Sequence, residues 1–110
     1  MKKLLVFLAD PLKTSYQKGE VKPRYYNPGN LFDEVHFVSP GWTDIGAETV
    51  QTIVGNARMV VHALGPRYYL GGFLPFGRLA SLVAAVRPDV MRAYDPGLRK
   101  LVMAGVNEAK

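Results

Sequence analysis

The chain predicts an α/β domain built on one open parallel sheet of about four strands, with helices on both faces. Three observations predict it. Apolar runs alternate with segments of helical period along the whole sequence. The first run, Leu4 to Ala9, is continuously apolar, which suits a strand covered on both sides. Each strand candidate also closes on a polar or small residue followed by proline: Asp10-Pro11, Ser39-Pro40, Gly65-Pro66 and Asp95-Pro96. Proline cannot continue a ladder and pushes its predecessor extended, so the four stops should share the carboxyl edge of the sheet. If the strand order is 3-2-1-4, it reverses between strands one and four, and Asp10 and Asp95 flank that point. Open α/β sheets bind ligands there.

The elements follow in order. After the first strand, residues 12 to 18 predict a short helix ended by Gly19. Pro23 and Pro28 exclude a long helix from the next stretch, and Asn27-Pro28-Gly29-Asn30 is a strong turn signal. Val35 to Ser39 is the second strand. Asp44 is the expected cap of a helix whose apolar positions are Ala47, Val50, Ile53 and Val54, with Gly55-Asn56 as its stop. Met59 to Leu64 is the third strand. Residues 66 to 76, with Arg67-Tyr68-Tyr69 and Gly71-Gly72, have a loop composition. Leu79, Leu82, Val83 and Val86 fall on one face of an amphipathic helix from Arg78 to Arg87, stopped by Pro88. Asp89 to Tyr94 is the fourth strand, interrupted by Arg92. Asp95 caps a last helix with Pro96 at its first position and Leu98, Leu101, Val102 and Val106 on one face.

The 110 residues suffice for a single domain, 1–110, with one core. A net charge of +5 suits a phosphorylated ligand, an anionic membrane surface or nucleic acid. The basic residues are scattered, with no run longer than a pair such as Lys2-Lys3, so a nucleic-acid stripe is not evident. There is no cysteine, which removes disulfides and thiol chemistry. Met1-Lys2-Lys3 and the apolar run imitate a signal peptide, but Asp10-Pro11 stands where a cleavage region should be. The expectation is a cytoplasmic protein with peripheral contact at the inner membrane face as an option.

Candidate chemistry concentrates in the loops. Asp10 and Asp95 are the carboxylates best placed to accept a sugar hydroxyl or act as a base; the competing reading is that they cap helices. Lys18, Arg24, Arg67 and Arg92 could meet a phosphate, against simple solvation. Tyr25, Tyr26, Tyr68, Tyr69 and Trp42 lie in loops expected near the carboxyl edge, where their rings could stack on a sugar or cover the core rim. His36 and His62 lie within strands with no serine or carboxylate partner at a telling spacing, and read as structural. No glycine follows the first strand before Gly19, so a dinucleotide fingerprint is absent, and no cofactor is expected.

With these residues in place, the chain resembles the amino-terminal, acceptor-side domain of group 1 glycosyltransferases of the GT-B fold. The resemblance rests on Lys18-Gly19-Glu20, on the stretch Arg24-Tyr25-Tyr26-Asn27-Pro28-Gly29-Asn30-Leu31-Phe32-Asp33-Glu34-Val35-His36, on Val54 to Arg58 with His62 to Gly65, and on Arg87 to Asp95. It implies a Rossmann-like half of a two-domain enzyme that moves a sugar from a nucleotide-sugar to an acceptor. It implies Asp10, Lys18, Glu20, Arg24, Tyr25, Asn27, Asn30 and Asp95 as acceptor or phosphate contacts. Members of that family continue with further strands and a donor-binding domain carrying paired glutamates, which these 110 residues do not include. The domain is therefore expected to be incomplete and not catalytic alone. The expected partners are a sugar or polyprenyl-phosphate-like acceptor, a separate donor-binding half, and a second copy pairing through strand four or the last helix. The alternative is a non-catalytic binding or scaffolding protein that kept the fold; a nucleic-acid binder would rest on charge alone.

Overall fold

The computed structural model describes residues 1–65 and 78–93, with the side chains of 78–80 outside that description. The expectations at Arg67, Tyr68, Tyr69, Gly71-Gly72, Asp95 and the last helix therefore lie outside the described residues.

Four strands form one sheet: β1 Lys3–Phe7, β2 Glu34–Ser39, β3 Arg58–Ala63 and β4 Val90–Ala93. Their order is β3-β2-β1-β4 and every pairing is parallel. This is the α/β, Rossmann-like open sheet the sequence predicts, with the reversal between β1 and β4. Because all strands run one way, the stops Asp10, Ser39-Pro40 and Gly65 share the carboxyl edge.

The register sorts the side chains into two dry faces. Leu4, Val6, Val35, Phe37 and Met59 lie on one face with Leu12 of α1 (Leu12–Gln17), Val50 of α2 (Ala47–Val50), and Ile53 and Val54 of a 3-10 turn (Gln51–Val54). Leu5, Phe7 and Val38 lie on the other, against Leu82 and Val83 of α3 (Arg78–Val86). The amino ends are pinned by two carboxylates. Asp33 accepts from the Lys2 N–H at 2.7 Å and Asp89 from the Lys3 N–H at 2.8 Å, and each returns its own N–H to the same residue's carbonyl.

The helix after Asp44 is shorter and differently capped than its periodicity predicts. α2 has four residues, begins after Gly46, and tightens into the 3-10 turn. Asp44 serves α1 instead. Its carboxylate accepts from Leu12 N at 3.0 Å and Lys13 N at 2.8 Å, and also from the Ser39 hydroxyl at 2.5 Å. The residue preceding α1 is Pro11, which has no capping side chain, so the cap arrives from across the carboxyl edge rather than from Asp10. Asp44→Ala should therefore unfasten α1 and cost about 1–2 kcal/mol, read as a lowered urea midpoint with an unchanged slope.

Candidate functional site

The turn-rich stretch before β2 folds back on the segment before β3. Arg24 N–H donates to the Thr52 carbonyl at 2.7 Å and Tyr26 N–H to that of Ile53 at 2.9 Å. Asn27, 0% exposed, fixes the turn from inside. Its amide nitrogen donates to Val54 O at 2.9 Å and Phe32 O at 3.2 Å, and its Oδ1 accepts from Phe32 N at 2.9 Å. Asn30 makes the second link, accepting from Asn56 N at 3.0 Å. Gly55 lets the two strips approach: its φ is +60°, and a Cβ there would run into the Asn30 side chain. Left-handed backbone at Arg24, Gly29 and Asn30 gives the stretch its tight path.

This folding-back leaves a cavity of about 370 Å³ between α1, residues 20–26 and the α2 layer. The volume lies in the range of small-molecule sites. Leu12, Val50 and Ile53 are its buried side, while the exposed Glu20, Lys22 and Tyr25 stand at its mouth. An aromatic ladder runs inward from that mouth. Tyr25, 53% exposed, meets Tyr26 edge-on at 4.9 Å between ring centroids, and Tyr26 meets Phe37 edge-on at 5.0 Å. The arrangement offers a ring face, a carboxylate, an ammonium and the Ser15 hydroxyl over an apolar bed. No histidine is among the residues that line it, and its lining combines apolar surface with groups suited to recognition.

The structure divides the residues singled out in the sequence among three places. Glu20 and Tyr25 come together at the cavity, with Lys18 just before them at the exposed end of α1. Arg24, Asn27 and Asn30 stand toward the amino edge, beside the turns that enter β2 and β3. Asp10 is exposed beyond the end of β1, at the carboxyl edge. Tyr26 lies over the sheet face and not at the edge, since its ring packs on Phe37. Trp42 does lie at the carboxyl edge, 69% exposed, with its ring across Gly65, where a Cβ would stand 2.5 Å from it. Arg92 is exposed on β4.

The structure also joins residues the sequence reading kept apart. His36 Nε2 lies 2.8 Å from Glu34 Oε1, and His36 Nδ1 lies 3.0 Å from His62 Nε2. The hydrogen bond from His36, and then the charges of Lys3, His36 and Arg58, hold the Glu34 carboxyl below its usual range although burial works the other way. Burial, followed by the charge on His36, holds His62 below the usual imidazole range. The signal was present as Glu34-x-His36, two residues that share a strand face, but choosing His62 required the β2–β3 register.

Among the described residues there is no group of three or more histidine, aspartate or glutamate side chains arranged to hold a metal ion, and no helix long and apolar enough to cross a membrane. Comparison with protein-family models, with curated proteins and with solved structures gives no match.

Asn27→Ala should strand the buried Phe32 N–H and two carbonyls and cost about 2–4 kcal/mol in urea unfolding. Lys18→Ala, at an exposed position, should change stability by less than about 0.5 kcal/mol in the same measurement.

Proposed function

We propose that this chain is the acceptor-side domain of a nucleotide-sugar-dependent glycosyltransferase and does not catalyse transfer alone. The observation that carries the reading is the cavity that unites Glu20 and Tyr25 at one mouth. A tyrosine ring gives a sugar its apolar face, and a carboxylate accepts from its hydroxyls. Lys22 beside them suits a phosphate on the same ligand. The resemblance of the Lys18-Gly19-Glu20 and Arg24 to His36 stretches to group 1 glycosyltransferases supports the same reading. So does the parallel sheet, whose carboxyl edge with Asp10 is where a donor-binding half would close over the acceptor.

The acceptor is a sugar or a sugar-bearing polyprenyl phosphate, and the donor-binding half is a separate domain or chain. A second reading, a non-catalytic binding module that self-associates, is favoured by one observation. Among the described residues β4 is an end strand with β1 as its only partner in the sheet.

The test is a thermal-shift and calorimetry series with simple glycans, polyprenyl phosphates and nucleotide-sugars. A glycan or glycolipid phosphate should bind, and Tyr25→Ala and Glu20→Gln should each weaken it about tenfold, near 1.4 kcal/mol. Nucleotide-sugars alone should give no shift. A ligand held equally well by both variants would remove the cavity from the reading. Concentration-dependent dimerisation by light scattering, with no response to any glycan, would favour the second reading.

A further inference from the structure

We propose that Glu34, His36 and His62 form an acid-sensitive latch that fastens the outer strand β3 to β2, and that a second proton on the histidine pair opens it. The pair is built for one shared proton. The two rings are within 10° of parallel with centroids 5.2 Å apart, while the facing nitrogens are 3.0 Å apart. The centroid separation is close to the N···N distance plus two ring radii. The rings therefore lie edge to edge in roughly one plane, with nitrogen aimed at nitrogen. That is the geometry of an N–H···N bond. A metal bridging the same two nitrogens would need them further apart for a linear site, or turned toward a common apex for a tetrahedral one.

The protons can be counted. Glu34 accepts from His36 Nε2–H, so in the neutral pair His36 Nδ1 is the acceptor and His62 Nε2–H the donor. One extra proton is accommodated. It charges His36 against the Glu34 carboxylate, and His62 switches tautomer so that its Nε2 accepts from His36 Nδ1–H. A second extra proton puts an N–H on each facing nitrogen and a positive charge on each ring. The contact then has no acceptor, and the rings must part. His36 is buried and held by Glu34, whereas His62 is half-buried on a strand paired on one side among the described residues, so His62 is the ring that leaves.

The surrounding charges favour this order of events. Lys3 of β1 stands in register beside Glu34, and the Arg58 guanidinium of β3 lies 3.7 Å from Glu34 Oε2. Both add positive charge to a site about to receive more. Asp89, before β4, is engaged with the Lys3 N–H. α3 offers no titratable side chain among residues 81–86. The sign follows from the depressed His62 value. The unfolded chain protonates this histidine near its ordinary 6.5, and the folded chain resists. The contribution of the pair with His62 neutral is present above that pH and is lost as pH falls through the folded value of His62.

The experiment is amide hydrogen exchange on the full chain at pH 7.5 and 5.5, corrected for intrinsic rates, alongside a ring-nitrogen NMR titration of the wild type. Protection in β3 should fall about tenfold more than in β1 on acidification, and in His62→Gln the two strands should keep their ratio within about twofold. The titration should show the pair taking one proton first and His62 the second, below the ordinary imidazole range. Two rings titrating independently at ordinary values, or β3 and β1 losing protection together, would overturn the latch. So would the same acid response in His62→Gln; if that variant does not fold, the wild-type titration and strand ratio decide alone.

Discussion

Leu4, Leu5, Val6 and Phe7 run through the middle of the sheet with no more than 1% of any of them exposed. Alternate side chains of a strand leave by opposite faces, so that dryness has to be made twice. α1, α2 and the 3-10 turn make it on one face and α3 on the other. Neighbours joined by hairpins would leave no chain to lie across the faces; parallel neighbours bring crossovers that do. The burial of β1 thus accounts for the layers and for the strand direction. It leaves the register open, because a slip by one residue would exchange one apolar side chain for another. Asp33 and Asp89 close that gap by binding the Lys2 and Lys3 N–H groups at the amino edge, where a slip would leave both carboxylates unpaired.

The connection from α1 to β2 poses a similar problem, and Asn27 resolves it. The stretch containing Pro23, Pro28 and Gly29 closes a series of short turns on itself, and it lies beside the turn before β3. One buried amide joins both turns through three backbone groups, and Asn30 repeats the link at the surface. The family resemblance implies these two residues as ligand contacts. Their amide groups are engaged with backbone, while Glu20, Lys22 and Tyr25 are exposed at the cavity mouth.

Strand number and direction were legible in the sequence because their causes are local, whereas the order 3-2-1-4 entered only as a condition and comes from the pairing itself. An uninterrupted apolar run such as Leu4 to Ala9 signals cover on both faces, and each proline stop marks an edge. Periodicity placed α3 within a residue of its observed end. The reading failed where a side chain reaches a distant backbone group. Asp44 precedes a helical period and reads as its cap, yet it caps α1, and nothing within a few residues of Asp44 encodes that reach. The same holds for His36 and His62, 26 residues apart. Each looked unpartnered, because a partner on the next strand appears only once register is known. The loop residues divided for a related reason. Arg24 to Asn30 and Asp10 flank the same helix in sequence, but α1 and the following turn carry the chain from the carboxyl edge back to the amino edge of the sheet.

That division bears on how the proposed activity would be arranged. The cavity at Glu20 and Tyr25 opens on the helical layer over one sheet face, whereas Asp10 and Trp42 stand at the carboxyl edge. α1 connects them: Leu12 at its start and Ser15 further along both line the cavity, and its first N–H groups are tied by Asp44 to the edge loop. An acceptor long enough to span α1 would be gripped at one end and presented at the other. Contacts remote from a reacting group can hold it in place for a partner half, so a domain that supplied only binding would still contribute to rate. The Asp44 cap would then belong to the alignment between grip and edge as well as to the fold.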